Sequence, residues 1–248
     1  MTIENAAFYD DFVLYYDQVH QSRGPEHAFY ENVISATDTV LEVACGSGTL
    51  TMTIQRACKE VVGLDLSSGM LDQARARLPG VEFVQADMRD FALGRTFDWV
   101  ICPFNSLLHL PTCRDVASTL QCFAQHCSPG GRVVIDIFNL GRVEWDLRLD
   151  RHQLGTFKCD RTGRMVTAYE TSRCDPSANL IHVNWFVEDS VSGDEVVAAN
   201  YTITPLRLAD LKREIQNAGF RLLRCFGDYD RSTYGQSAKR VIVIAIKA

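Results

Sequence analysis

No stretch of about 20 apolar residues occurs in the 248, so the sequence offers no membrane-spanning helix. The N-terminus carries Glu4, Asp10 and Asp11 where a signal peptide would be basic and then apolar. Basic residues are in deficit, 25 against 31 acidic ones, for a net charge of −6. That balance argues against a general phosphate-binding surface and against nucleic acid as partner. The nine cysteines are odd in number and scattered, and no two form a CxxC pair. Reduced, buried thiols of a cytoplasmic protein are the reading this supports. There is no internal repeat and no low-complexity tract.

An apolar run, Val40-Leu41-Glu42-Val43, breaks into small residues, Ala44-Cys45-Gly46-Ser47-Gly48. A second run, Val61-Val62-Gly63-Leu64, ends in Asp65. A branched apolar run that stops in small residues reads as a buried parallel strand entering a tight turn. Glycine there lets backbone approach a ligand that a Cβ would hold away. Asp65 falls at the end of the next strand, where a carboxylate reaches the two hydroxyls of a ribose. It would serve equally as a helix N-cap before Ser67. The third glycine of a dinucleotide fingerprint is missing, since Thr51 stands in its place, and no Gly-Lys-Ser/Thr follows to make a P-loop. A ribose-binding acid with a second acid before the turn, Glu42, suits a nucleoside with a cationic amino-acid tail. S-adenosyl-L-methionine (SAM) has that chemistry.

Apolar content of 46% is enough for one full α/β core with an insertion. Residues 1–35 carry a helical, aromatic-rich pattern (Phe8, Tyr9, Phe12, Tyr15, Tyr16), broken at Arg23-Gly24-Pro25. Strands and helices alternate over 38–138, the pattern of a parallel sheet. From about 155 to 204 the period becomes two, predicting strands over 165–169, 181–187 and 196–203, with turns at Asp175-Pro176-Ser177 and Ser192-Gly193-Asp194. A helix is predicted over 206–218, capped by Gly219, and two last strands over 221–227 and 240–247.

Five segments in order resemble the motifs of class I SAM-dependent methyltransferases: Glu42 to Gly48, Val62 to Met70, Gln85-Ala86-Asp87-Met88-Arg89, Phe97 to Leu110, and Pro129 to Asp136. Ala44 stands where many members have glycine. The resemblance covers nearly the whole chain. It implies a Rossmann-like α/β sheet with helices on both faces (36–140 and 205–248), an antiparallel β insertion over the active site (141–204) and an N-terminal helical lid (1–35). Two groups share the lid and meander: the sugar N,N-dimethyltransferases of macrolide biosynthesis and glycine N-methyltransferase. Asp87 to Leu93 and Asn184 to Gly193 look like the first, and Asn105 to Leu110 resembles the second.

The resemblance further implies SAM as cofactor, with S-adenosyl-L-homocysteine as product, held by Arg23, Glu42, Ala44, Gly46, Gly48, Asp65, Leu66, Asp87, Met88 and Asn105. In that scheme Asp65 takes the ribose, Asp87 and Met88 the adenine, and Arg23 the cofactor carboxylate. Tyr16 and His109 match residues near the reacting centre, His109 as base or substrate-positioning group, though a histidine between Leu108 and Leu110 would equally just hold a backbone carbonyl. Tyr169, Trp185 and Tyr201 are the substrate-binding candidates, with alternation placing about half of the meander inward. The expected partner is a small-molecule methyl acceptor, and a homodimer would form through the insertion. The expected reaction is N-methylation in secondary metabolism. O-methylation, or SAM binding without transfer, stands as the alternative. No metal is implied, because Asp136 and Asn139 alone do not make a ligand set.

Overall fold

The computed structural model describes residues 3–20, 23–139, 148–235 and 237–248. In chain order the elements begin with α1 (Ile3–Phe12), α2 (Tyr16–Val19), α3 (Gly24–Val33), β1 (Thr39–Val43), α4 (Thr49–Ala57), β2 (Glu60–Asp65) and α5 (Ser68–Arg77). Then come β3 (Glu82–Gln85), β4 (Phe97–Cys102), a 3-10 turn over Ser106–His109, α6 (Cys113–His126) and β5 (Cys127–Phe138). The second half holds β6 (Arg148–Lys158), β7 (Met165–Asp175), β8 (Leu180–Asp189), β9 (Glu195–Ile203), α7 (Leu208–Asn217), β10 (Phe220–Phe226) and β11 (Arg240–Lys247). None of the described helices is long and apolar enough to cross a membrane.

Seven strands form one sheet in the order β10-β11-β5-β4-β1-β2-β3, parallel except for β11, which runs antiparallel to both of its neighbours. Successive side chains on these strands serve opposite faces. Val40, Trp99, Ile101, Val134 and Ile242 pack under α3 and α4 with Phe29, Tyr30, Leu50 and Ile54. Leu41, Val43, Val100, Val133 and Val243 pack under α6 and α7 with Leu120, Phe123, Leu211 and Ile215. Strand order reverses at β1, which lies between β2 and β4, and a crevice opens there beyond the carboxyl ends of the strands. The glycine turn after β1 sits in that crevice.

A second sheet, β6-β7-β8-β9, is antiparallel throughout. Three of its strands match the predicted ones and run longer; β6 departs from the prediction. Its residues Arg148 to Phe157 are largely polar, and two register shifts against β7 break the alternation that would reveal it. The start of the insertion at 141 lies outside the described residues. Gly193 turns with φ +78, and Asp189 accepts from the N–H of Val191 and Ser192 to close that hairpin.

The N-terminal segment is divided between the two sheets. Phe8, Phe12 and Tyr15 share a core with Val166, Ala168, Ile181, Val183 and Trp185 of the insertion. Helix α3 instead belongs to the main sheet through Phe29 and Tyr30. Helices α1 and α2 thus pack with the insertion, and Gly24 and Pro25 open a new helix where the pattern breaks.

Candidate active site

After β1 the backbone enters the left-handed region at Ala44 (φ +60) and Gly46 (φ +55). This turn, with Ser47, Thr49, Leu50, Asp65 and Met70, walls a cleft closed from above by Tyr9, Tyr16 and Arg23. A Cβ on Gly46 would meet nothing within 4 Å, so that glycine serves the turn and faces open space. Gly48 (φ +77) differs. A Cβ there would stand 3.2 Å from the Ala74 Cβ, so Gly48 lets α4 start against α5 and does not border the cleft.

Asp65 is 5% exposed and borders the cleft. Its Oδ2 accepts from the Gly46 N–H at 2.8 Å and its Oδ1 from the Ser67 N–H at 2.9 Å. Burial raises its carboxyl above the usual range, and these backbone donors act against that. A third backbone donor, the Leu66 N–H, also helps hold the carboxylate at the cleft.

Glu42 lies beneath the turn, 1% exposed, and its Oε2 accepts from the Thr51 hydroxyl at 2.6 Å. Burial pushes its carboxyl from 4.5 up to about 8. The folded chain thus holds a proton there that the unfolded chain releases above pH 4.5. Its stabilising effect is full below about 4.5 and lost as the pH rises to about 8. Glu42→Gln is expected to flatten the pH dependence of thermal unfolding across that window, where the wild type loses up to ~1.4 kcal/mol per pH unit. Parallel profiles for the two proteins would rule this out.

The lid is bound to both walls. Asp10 accepts from Ser67 Oγ at 2.6 Å and from the Gly69 N–H at 2.9 Å, at the N-terminus of α5. Asp17 pairs with Arg77 and accepts from the Ser47 hydroxyl, which ties α2 to the glycine turn. Tyr9, Tyr16, Arg23, Phe104 and His109 border the cleft on one side and a cavity of about 340 Å³ on the other. That cavity is walled by Trp185, Tyr201, Glu170, Asn105, Tyr229 and Arg240 among others.

Several predicted residues meet here and others do not. Tyr16, Arg23, Ala44, Gly46, Asp65 and His109 converge on the cleft, and Trp185 and Tyr201 on the cavity. Asn105 borders the cavity rather than the cleft, and its Oδ1 accepts from the Phe138 N–H at 2.6 Å and from Arg240 at 3.3 Å. Tyr169 is a miss. It stacks on Phe186 at 5.3 Å on the outer face, beneath the Arg151 guanidinium at 3.9 Å, because its cross-strand partner is Phe186 while Glu170 opposes Trp185. Glu170 therefore faces inward, and its Oε2 accepts from Trp185 Nε1 at 2.7 Å. Leu66 packs against the main core. Asp87, ion-paired with Arg89 at 2.7 Å, and Met88, 4% exposed in the same core, stand outside the cleft wall.

His109 is 6% exposed, and burial pushes it down to about 3. Its Nδ1 lies 3.1 Å from Asn5 Nδ2 and its Nε2 2.9 Å from the Tyr9 hydroxyl. Both ring nitrogens are engaged within the protein. The group it presents is Tyr9, which borders cleft and cavity alike. Tyr9, Glu170, Phe104 and Arg240 are the site residues that sequence reasoning missed. Tyr9 had a visible signal in the aromatic stripe of α1, and Phe104 in the Phe97 to Leu110 motif.

The family described as a methyltransferase domain matches residues 40–131. The dTDP-3-amino-3,4,6-trideoxy-alpha-D-glucopyranose N,N-dimethyltransferase of Streptomyces venezuelae is 30% identical over 218 residues, 84% of this chain and 89% of its own. The crystal structure of Streptomyces venezuelae DesVI superposes over 100% of both chains at TM-score 0.76 and 25% identity. The fold is shared as well with the sugar N-methyltransferase KedS8 from Streptoalloteichus, at TM-score 0.78 and 21% identity over 95% of this chain and 92% of that one. With the motifs, strand order and cleft agreeing, the chain belongs to the class I SAM-dependent methyltransferases, alongside the sugar N,N-dimethyltransferases.

Proposed function

We propose that the chain methylates the amino group of a small polar acceptor, an amino sugar or nitrogen heterocycle of secondary metabolism, in the 340 Å³ cavity. The observation that carries this is the shared wall. Tyr9, Tyr16 and His109 face the cofactor cleft on one side and the cavity on the other, so an acceptor and SAM would meet between them. SAM supplies a methyl group on a sulfonium, already a strong leaving group. The protein's task is then to hold the acceptor in line and to exclude water.

In this proposal Asp65 holds the ribose and the Ala44–Gly46 turn lies against the cofactor, with Arg23 at its carboxylate. Glu42 supports the turn from below through Thr51. Asp87 and Met88 remain the adenine end; the Ala86 N–H donates to the Asp65 carbonyl at 3.0 Å, which keeps their turn beside the ribose residue. Tyr16 and Tyr9 orient the acceptor. Arg23 and Arg240 give the cavity its positive side, and Glu170 and Glu26 its negative side. An amine must lose its proton before attack, and a carboxylate in a closed pocket favours the approach of the cationic form beforehand.

Two further points belong to the same proposal: the protein works in the cytoplasm, and it pairs with itself through the outer face of the insertion. The second is supported by the apolar Phe186 and by Val196, which is 38% exposed, on β8 and β9.

The test is turnover with SAM and matched acceptors, an amino sugar nucleotide and its hydroxyl analogue. Release of S-adenosyl-L-homocysteine with the amine alone supports N-methylation. Methylation of the hydroxyl analogue, or binding without release, overturns it. Glu170→Gln is expected to raise the acceptor KM about tenfold, the loss of one charge-assisted contact, with SAM affinity unchanged because Glu170 lies outside the cleft wall. An equal fall in SAM affinity would contradict that assignment.

A further inference from the structure

Asn5 carries no assigned role, yet it is 2% exposed and links its own helix α1 to β9 and to the 3-10 turn that carries His109. Its amide pairs with the backbone of Thr202 as a strand residue would: Nδ2 donates to the Thr202 carbonyl at 2.9 Å, and Oδ1 accepts from the Thr202 N–H at 3.1 Å. This double pairing leaves no doubt which end of the amide is nitrogen, because reversal would set donor on donor and acceptor on acceptor. The nitrogen end also lies 3.1 Å from His109 Nδ1. An amide nitrogen can only donate, so in this pairing Nδ1 is the accepting, unprotonated nitrogen of the ring; the Thr202 backbone, which also hydrogen-bonds the ring, is the competing partner that favours a protonated one. The neutral ring then carries its proton on Nε2, 2.9 Å from the Tyr9 oxygen.

We propose that Asn5 is the positioning residue that holds His109 in its Nε2–H tautomer, so that the imidazole donates to Tyr9 and fixes the phenol oxygen at the wall shared by cleft and cavity. One lone pair of that oxygen is taken by His109. The other, with the hydroxyl proton, is left for the acceptor. The opposite tautomer would make Tyr9 donate to the ring and would leave its proton unavailable to the acceptor. The lock exists only while α1 lies against β9, because Thr202 is a β9 residue. Tautomer choice is thereby tied to lid closure. Burial of the ring agrees with a histidine that stays neutral. Among the described residues, the titratable and charged neighbours of the Tyr9–His109 pair include Tyr16, Tyr201, Asp65 and Arg23.

The inference rests on the methyl-transfer reading only for its kinetic arm; the tautomer is measured without any acceptor. The probe is long-range nitrogen–proton NMR of the full 15N-labelled chain, with the His109 signals among those of six histidines assigned by their loss in His109→Gln. Wild type should show Nε2 protonated and Nδ1 bare across about pH 5–8, where an ordinary histidine titrates. Asn5→Asp keeps the shape but cannot donate, so the ring should switch to Nδ1–H and begin to titrate in that range. Its kcat should fall about a hundredfold through the misaimed phenol, with KM for SAM nearly unchanged. Asn5→Gly should populate both tautomers. A wild-type ring protonated at Nδ1, or Nε2–H persisting in Asn5→Asp, overturns the proposal whatever the activity. If the tautomer switches and kcat does not fall, the lock stands as structure and its role in the reaction is refuted. Failure to methylate any amine, with the tautomer as expected, counts against the proposed reaction and leaves the lock intact.

Discussion

Asp65→Ala is expected to weaken SAM binding by about 10²–10⁴-fold, which calorimetric titration would read directly. A carboxylate accepting two hydroxyl hydrogen bonds contributes ~1.5–3 kcal/mol through each, and ~1.4 kcal/mol is tenfold in affinity. The side chain has a second task that enlarges the effect. It is the acceptor for the N–H of Gly46 and of Ser67, at 2.8 Å and 2.9 Å, so its removal frees the turn that shapes the cleft. Leaving two donors without that partner costs roughly 1–3 kcal/mol each where water cannot replace it. Asp65→Asn touches both tasks. It keeps the size, but its amide nitrogen must face one of the two N–H groups, so the turn should be disturbed even with the charge removed. If Asp65→Ala bound SAM with wild-type affinity, the ribose assignment would be wrong.

The second large effect is expected at a buried carboxylate of β5. Asp136 is fully buried, behind Tyr229 and Arg240 of the cavity wall. Its Oδ1 takes the Arg240 guanidinium at 2.7 Å, and its Oδ2 accepts from the Tyr229 hydroxyl, with the Phe104 N–H at 3.3 Å and the Tyr30 hydroxyl at 3.4 Å. One carboxylate thus joins β5, β11, α3 and the loop after β4. Asp136→Ala strands a guanidinium whose side chain is only 11% exposed. Breaking a buried pair from one side costs ~3–5 kcal/mol. For a chain of this size that corresponds to a fall in Tm of about 6–20 °C, measurable by thermal melt. Asp136→Asn should be milder, since it still accepts from Arg240. The acceptor KM should rise with the loss of order in Arg240, Asn105 and Tyr229, while SAM affinity follows less closely. A melting temperature within a degree or two of wild type would show that the pair contributes nothing net.

The contrast between these two residues shows what was legible in the chain. Asp65 follows a strand and stands a fixed distance from a glycine turn, so both its place and its partner chemistry are local in sequence. The main sheet, its two helix layers and the turn at Ala44–Gly46 were readable for the same reason: each rests on periodicity and small residues within one segment. Asp136 could be placed on a strand but not among its partners, which come from residues 30, 104, 229 and 240.

The insertion marks the same boundary. Alternation marks β7, β8 and β9 as strands but does not tell which alternate set faces inward, Tyr169 or Glu170. Cross-strand pairing with Trp185 and Phe186 decides that, and pairing is tertiary. Gly48 could be recognised as a residue that a left-handed turn needs, yet only the approach of Ala74 shows that its freedom serves helix packing. His109 could be read as a histidine near the cleft. Whether it is a free base depends on Asn5, 104 residues away, and Tyr9, 100 away, and no local pattern encodes partners at that distance. The sequence by itself determined the sheet, the cofactor turn and the class of chemistry, because those depend on neighbours in the chain. The tertiary structure alone decided which side chains face the acceptor and which are already paired, because those depend on contacts between segments that folding brings together.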